Sequence, residues 1–293
     1  MAQSQSGILA PLPKAARYLA FSLKSGADPR AALARLAAAV DGEATVAGLG
    51  ESLVTALDAR IEGLKSFPAL AAPGLDIPST QTALWLWLRG EDRGELLHRG
   101  QALAALLDEA FGLEQALDAF LHAGGRDLSG FEDGTENPKD EAALSAAIVS
   151  GEGNAPAGSS FVAVQQWLHD LRGFAARPAH EQNMTIGRDK ESNEELEDAP
   201  ESAHVKRTAQ EDFEPEAFVL RRSMPWIEGE RAGLVFVAFG ASLAAFEAQL
   251  RRMSGQEDGI RDALFSFTHP VTGAYYWCPP VVGAKLDLSA LGL

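Results

Sequence analysis

The sequence is short of several residues on which whole classes of protein depend. Its 293 residues include one cysteine, Cys278, so neither a disulfide framework nor a thiolate metal cluster can form within one chain. That usage suits a reducing compartment. No apolar run reaches the roughly 18 residues of a transmembrane helix. The opening MAQSQSGILAPLPKAARYLAFSL has no charged region ahead of an apolar core, so it does not read as a secretory signal. A soluble cytoplasmic protein is expected. Basic residues are also scarce: 25 Lys and Arg against 41 Asp and Glu leave a formal net charge of −16. Nucleic acid and anionic membrane surfaces both call for clustered cations, so neither partner is expected. None of the six histidines pairs as HxH, HxxxH or HExxH, which argues against a multi-histidine zinc or di-iron site.

Apolar residues at 46% and charged residues at 23% are enough to build a packed core. Leu19, Phe21 and Leu23 alternate with polar or small residues, which predicts a strand over 17–24. Asp28-Pro29 opens a helix through Val40, and Ala83–Leu88 is a short apolar run that predicts a buried strand. Leu103, Leu106, Leu107, Ala110 and Phe111 form one stripe of a following helix. The second half repeats that order. Strands are predicted over 160–167, 217–223, 234–239 and 274–278, with helices after Pro178 and through Leu243, Phe246, Leu250 and Met253. A split β-α-β unit seen twice predicts an α+β fold of two tandem ferredoxin-like domains, residues 1–148 and 149–293. The boundary falls near 142–158, where Gly151–Gly158 reads as a linker. Residues 189–201 carry seven acids against Lys190 and read as a solvated surface loop.

Three segments could carry chemistry. Gly130-Phe131-Glu132-Asp133-Gly134-Thr135-Glu136-Asn137-Pro138 is the densest turn signal in the chain. It is either a turn in which Asp133 bonds its own backbone, or an aspartate held against a cofactor where glycine lets the backbone approach. It lacks the regular carboxylates of a calcium loop. Each histidine alone reads as an ordinary packed residue, though one imidazole suffices for iron when a porphyrin supplies the other nitrogens. In Leu220-Arg221-Arg222-Ser223-Met224-Pro225 the two arginines point to opposite faces of a strand. One of them either faces what the sheet buries, and then needs an anionic partner, or lies on an exposed edge.

Taken together, Gly130–Pro138, Ser202-Ala203-His204-Val205-Lys206-Arg207 and Val219–Pro225 resemble, in sequence and order, the signature blocks of the dye-decolourising haem peroxidases. The resemblance extends to Phe161–Leu171 and Pro270–Gly273, and so covers nearly the whole chain; its length is closest to the family's shorter bacterial intracellular branch. It implies two ferredoxin-like domains closed like a dimeric α+β barrel, with haem b (iron protoporphyrin IX) in the second. It implies that His204 is the proximal iron ligand, that Asp133, Arg221 and Ser223 act on the distal side, and that Arg207 reaches a haem propionate. Ser223 stands where many relatives have Asn. Gly134, Thr135, Glu136 and Phe236 are the remaining expected haem contacts. The partner of the proximal imidazole stays open between Ser266 and Asp262. The implied activity reduces hydrogen peroxide through a ferryl intermediate and oxidises dyes, phenolics or porphyrinogens by one-electron steps. A haem-handling protein with little turnover and a cofactor-free module are the alternatives. A homo-oligomer is expected. Trp167, Trp226, Tyr275, Tyr276 and Trp277 are candidate surface relays for electrons, against the plainer role of core packing.

Overall fold

A single ten-stranded sheet organises the computed structural model, which describes residues 2–72, 74–151 and 155–293. Its strands are β1 (Ala15–Leu23), β2 (Thr45–Leu49), β3 (Leu84–Gly90), β4 (Phe111–Phe120), β5 (Ser160–His169), β6 (Leu220–Arg221), β7 (Met224–Glu228), β8 (Arg231–Gly240), β9 (Thr268–Pro270) and β10 (Ala274–Cys278). The main helices are α1 (Arg30–Ala39), α2 (Arg93–Leu107), α3 (Asp140–Ala147), α4 (Ala179–Ile186), α5 (His204–Arg207) and α6 (Ala244–Met253).

The strand order is β9-β5-β10-β2-β3-β1-β4-β7-β8-β6, and β5 also pairs with β8, which closes the sheet into a barrel. Its first four strands lie in the order β2-β3-β1-β4. The later strands lie in the order β10-β5-β8-β7, the same ferredoxin-like arrangement read from the opposite edge. Pairing within each half is extensive, whereas the halves meet at two short seams, Leu49 opposite Trp277 and Ala119 opposite Trp226.

Strand alternation divides the core into two layers. Tyr18, Trp85, Trp87, Val162, Val237 and Tyr276 fill the barrel interior. Leu19, Phe21, Leu86, Ala163 and Trp277 face outward and pack beneath the helices, against Leu33, Leu36, Leu107 and Leu250. β3 is buried on both faces, which is why its sequence is an unbroken apolar run. Asp92 caps α2 by accepting from the Glu95 N–H, whereas α1 starts at Arg30 with Pro29 rather than Asp28 at its N-cap, and Asp28 accepts from the Arg30 N–H from one position further out.

Three expectations are corrected. The helical stripe ends at Leu107, and Phe111 opens β4 instead. That strand was hidden because Leu113, Glu114 and Ala116 are exposed, which dilutes its alternation. The strand expected over 217–223 shrinks to Leu220–Arg221; the ladder breaks where the Val237 N–H turns to the Ser223 hydroxyl. None of the five candidate relay aromatics lies on the surface: Trp167, Trp226, Tyr275, Tyr276 and Trp277 are all buried. Of the expected linker, residues 152–154 lie outside the described residues. Among the described residues, no helix is long and apolar enough to cross a membrane.

Candidate active site

The outer face of β5 and β8, under α6, forms one wall of a cavity, and α4, α5 and the Gly130–Pro138 loop close it. Its apolar lining includes Trp167, Phe236, Phe246, Leu250, Met253 and Phe267. A polar cavity adjoins it, sharing Asp133, His204, Thr208 and Arg221, and is lined by Gly134, Thr135, Glu136, Arg188 and Lys206.

His204 opens α5, and its Nδ1 lies 2.8 Å from Asp262 Oδ2. Asp262 is 1% exposed, and its other oxygen accepts from the Leu264 N–H. A carboxylate on Nδ1 fixes the proton there and leaves the Nε2 lone pair for the cavity. The open choice of partner is therefore decided for Asp262. Ser266 instead accepts from Arg177. α5 reaches this position because Gly187, at φ +94°, ends α4; a Cβ there would stand 2.3 Å from Val205 Cγ2.

Asp133 is set by a tight turn in which Gly134 takes φ +77°. Arg221 Nη1 lies 3.7 Å from Asp133 Oδ1, an ion pair longer than a hydrogen bond whose two groups both line the cavity. Asn137 ties the two segments together. Its Nδ2 donates to the Arg221 carbonyl at 3.0 Å, and its Oδ1 accepts from the Arg221 N–H at 2.8 Å. Arg222 points the other way and donates to the carbonyls of Ile8 and Leu9. Burial and the nearby Arg89 pull its guanidinium down to about 10, which leaves it charged at neutral pH.

Two expected site residues are placed elsewhere. Arg207 is buried, donates to both oxygens of Asp258 at 2.7 and 2.8 Å and to the Arg252 carbonyl, and lines neither cavity. Ser223 is buried in the sheet against Val237 and lines neither cavity. The acidic segment 189–201 is more than a solvated loop. Asn193 donates to Glu132 and Thr135, so the segment braces the Asp133 turn, and Arg188 just ahead of it pairs with Glu136.

Sequence reading missed three lining residues. Gln165 is 1% exposed, and neither of its amide atoms has a partner among the described residues. His169 Nε2 lies 3.2 Å from Asp127 Oδ1. Burial alone would raise the Asp127 carboxyl, but the bonds and charge of His169, with those of Ser129, pull it down to about 2. A usable signal was present: Gln165, Trp167 and His169 sit at alternate positions of one strand and so share a face.

The donor set fits a haem. It offers one directed imidazole, an apolar wall broad enough for a flat ring system, and a carboxylate–guanidinium pair. Among the described residues, no three His, Cys, Asp or Glu side chains are grouped to hold a metal ion by themselves. An iron bound here would need the nitrogens of a macrocycle.

Comparison with known proteins places this chain in a class. The Dyp-type peroxidase C-terminal family matches residues 124–283. The dye-decolorizing peroxidase of Rhodococcus erythropolis is 31% identical over 93% of this chain and 85% of its own. That of Mycobacterium tuberculosis is 28% identical over 96% and 89%. Among solved structures, a dye-decolorizing protein from V. cholerae superposes with a TM-score of 0.85 at 28% identity, covering 94% of this chain and 96% of that one. A Rhodococcus jostii RHA1 DypB variant in complex with heme gives 0.84 at 25%, covering 93% and 94%. The chain belongs to the Dyp-type peroxidase family.

Proposed function

We propose that haem b is held between His204 and the Asp133–Arg221 pair, and that the protein reduces hydrogen peroxide while oxidising dyes, phenolics or porphyrinogens by one-electron steps. The observation that carries this reading is the shared cavity itself, with a carboxylate-backed imidazole and a separated carboxylate–guanidinium pair in its wall. His204 would bind iron through Nε2, and the negative charge of Asp262 makes that nitrogen a stronger donor. Phe236, Gly134, Thr135 and Glu136 would line the macrocycle's pocket, with Arg188 and Lys206 as the cations near its polar end. Bound haem supplies an iron that binds peroxide and accepts its oxidising equivalents.

Asp133 takes the proton from one peroxide oxygen and delivers it to the other. The Arg221 guanidinium stabilises the negative charge that develops on the departing oxygen. The Asn137 clamp keeps the two groups at a fixed separation, so no reorganisation is needed when charge develops. The two halves, residues 1–148 and 149–293, divide the work: the first supplies Asp133, the second supplies His204 and Arg221. The single cysteine supports a reducing, cytoplasmic setting. Association of copies into a homo-oligomer belongs to the same reading, and light scattering tests it.

The central test is the absorption spectrum of the purified protein before and after peroxide. Wild type should show a Soret band that changes on peroxide addition, together with peroxide-dependent dye oxidation. A Soret band without either response would leave a haem-binding protein and overturn the enzyme. His204→Ala should lose most of its haem. A variant that keeps the wild-type spectrum would move the iron ligand elsewhere.

A further inference from the structure

His204 sits on a helix of four residues, α5. One turn closes too few hydrogen bonds to hold its own direction, so α5 takes its orientation from what its side chains touch. Its first and last residues, His204 and Arg207, are three positions apart and so share a face. Each reaches a carboxylate on the same loop, 254–262, which follows α6. His204 Nδ1 lies 2.8 Å from Asp262 Oδ2, while Arg207 donates from Nη1 and Nη2 to the two oxygens of Asp258 at 2.7 and 2.8 Å. The contacts form two rungs between the helical turn and the loop.

Asp262 is the fixed side of its rung. Its N–H donates to the Met253 carbonyl at 2.8 Å, and the next N–H, of Ala263, donates to the Ser202 carbonyl at 2.7 Å. The helical turn is the part that needs holding, and Arg207 holds it. Besides Asp258, Arg207 donates to the Arg252 carbonyl in the last turn of α6 at 2.8 Å. Its side chain is 4% exposed, so the guanidinium has no freedom to swing into solvent. Asp258 is tied in turn by accepting from the Ile260 N–H. Two parallel bonds to one carboxylate and a third to a carbonyl fix a planar guanidinium in a way that an ammonium cannot match. Burying that cation carries a desolvation cost that offsets most of the attraction, so what the pair supplies is geometry.

We infer that Arg207 is a positioning residue for the His204 imidazole, a role that rests on His204 being the iron ligand proposed above. Its bonds to Asp258 and to the Arg252 carbonyl fix the tilt of α5, and with it the length of the His204–Asp262 hydrogen bond. Held short, that bond keeps the imidazole electron-rich and makes the bound iron harder to reduce. Loss of either member of the Arg207–Asp258 pair frees the end of α5, lets the bond lengthen and raises the potential.

Spectroelectrochemical titration of the haem-loaded protein tests this through the sign of the shift. As bare charges the two residues act oppositely: Arg207→Gln removes a cation and would lower the potential, whereas Asp258→Asn removes an anion and would raise it. As a positioning device they act alike, so both variants should raise the potential, each by less than Asp262→Asn. Arg207→Lys, the milder change, keeps the charge but cannot reach all three acceptors, and its potential should rise part of the way. In an Asp262→Asn background Arg207→Gln should no longer raise the potential, because the bond it tunes is already lost. A fall in Arg207→Gln, or an unmoved potential in Arg207→Lys, in protein that keeps the wild-type Soret band would overturn the positioning role alone. A wild type that binds no haem would overturn the assignment of His204 and this role with it.

Discussion

At the scale of single residues, the site depends on charges held by partners distant in sequence. Asp262 reaches His204 from 58 positions away. Its carboxylate raises the electron density of the imidazole, so Asp262→Asn should retain haem yet raise the reduction potential of the bound iron. A spectroelectrochemical titration checks this, and an unchanged potential would remove the positioning role. Asp127 gives a pH prediction. Its folded-state carboxyl lies at about 2 against an ordinary 3.8. The stability it contributes is therefore complete above the ordinary value and is lost as pH falls from about 4 to 2, up to about 2 kcal/mol in all. Denaturant midpoints across that window should fall less steeply in Asp127→Asn than in wild type. Cys278 offers a simpler case: burial pushes its thiol well up, so native protein should resist thiol reagents that label the unfolded chain quickly.

At the scale of elements, the important join is between a loop and a strand. Asn137 closes two hydrogen bonds on the Arg221 backbone, each worth about 1 kcal/mol. Asn137→Ala should cost about 2 kcal/mol in urea unfolding and slow the reaction with peroxide at unchanged haem content. Wild-type reaction rates would show that the clamp does not hold the pair. Much at this scale was legible in the sequence. The stripe of Leu103, Leu106 and Leu107 announced α2 because helical spacing is local, and the Ala83–Leu88 run announced a buried strand. β4 was not legible, because a strand with exposed Leu113, Glu114 and Ala116 gives no clean alternation. The site was legible only in part. His204, Asp133 and Arg221 stood out as motif residues, whereas Arg207 belongs to an ion pair with Asp258 that no local pattern reveals.

At the scale of the whole molecule, the net charge of −16 bears on substrate. An acidic surface repels anionic dyes at neutral pH and does so less as carboxylates protonate or salt screens them. Oxidation of an anionic dye should therefore rise on acidification, and at neutral pH it should rise with ionic strength. A neutral phenol should show much less dependence on salt. A profile for the anionic dye flat in both variables would remove that role for the charge.

Sequence by itself determined most of the strands and helices of the two halves, the three motif blocks and the acidic composition, because each follows from local spacing or from composition. Tertiary structure alone decided that the halves close into one barrel through two short seams, and that Asp262 rather than Ser266 backs His204. It also turned Arg207 and Ser223 away from the cavity. Those outcomes depend on contacts between segments remote in the chain, whose geometry exists only once both faces of the sheet have been packed.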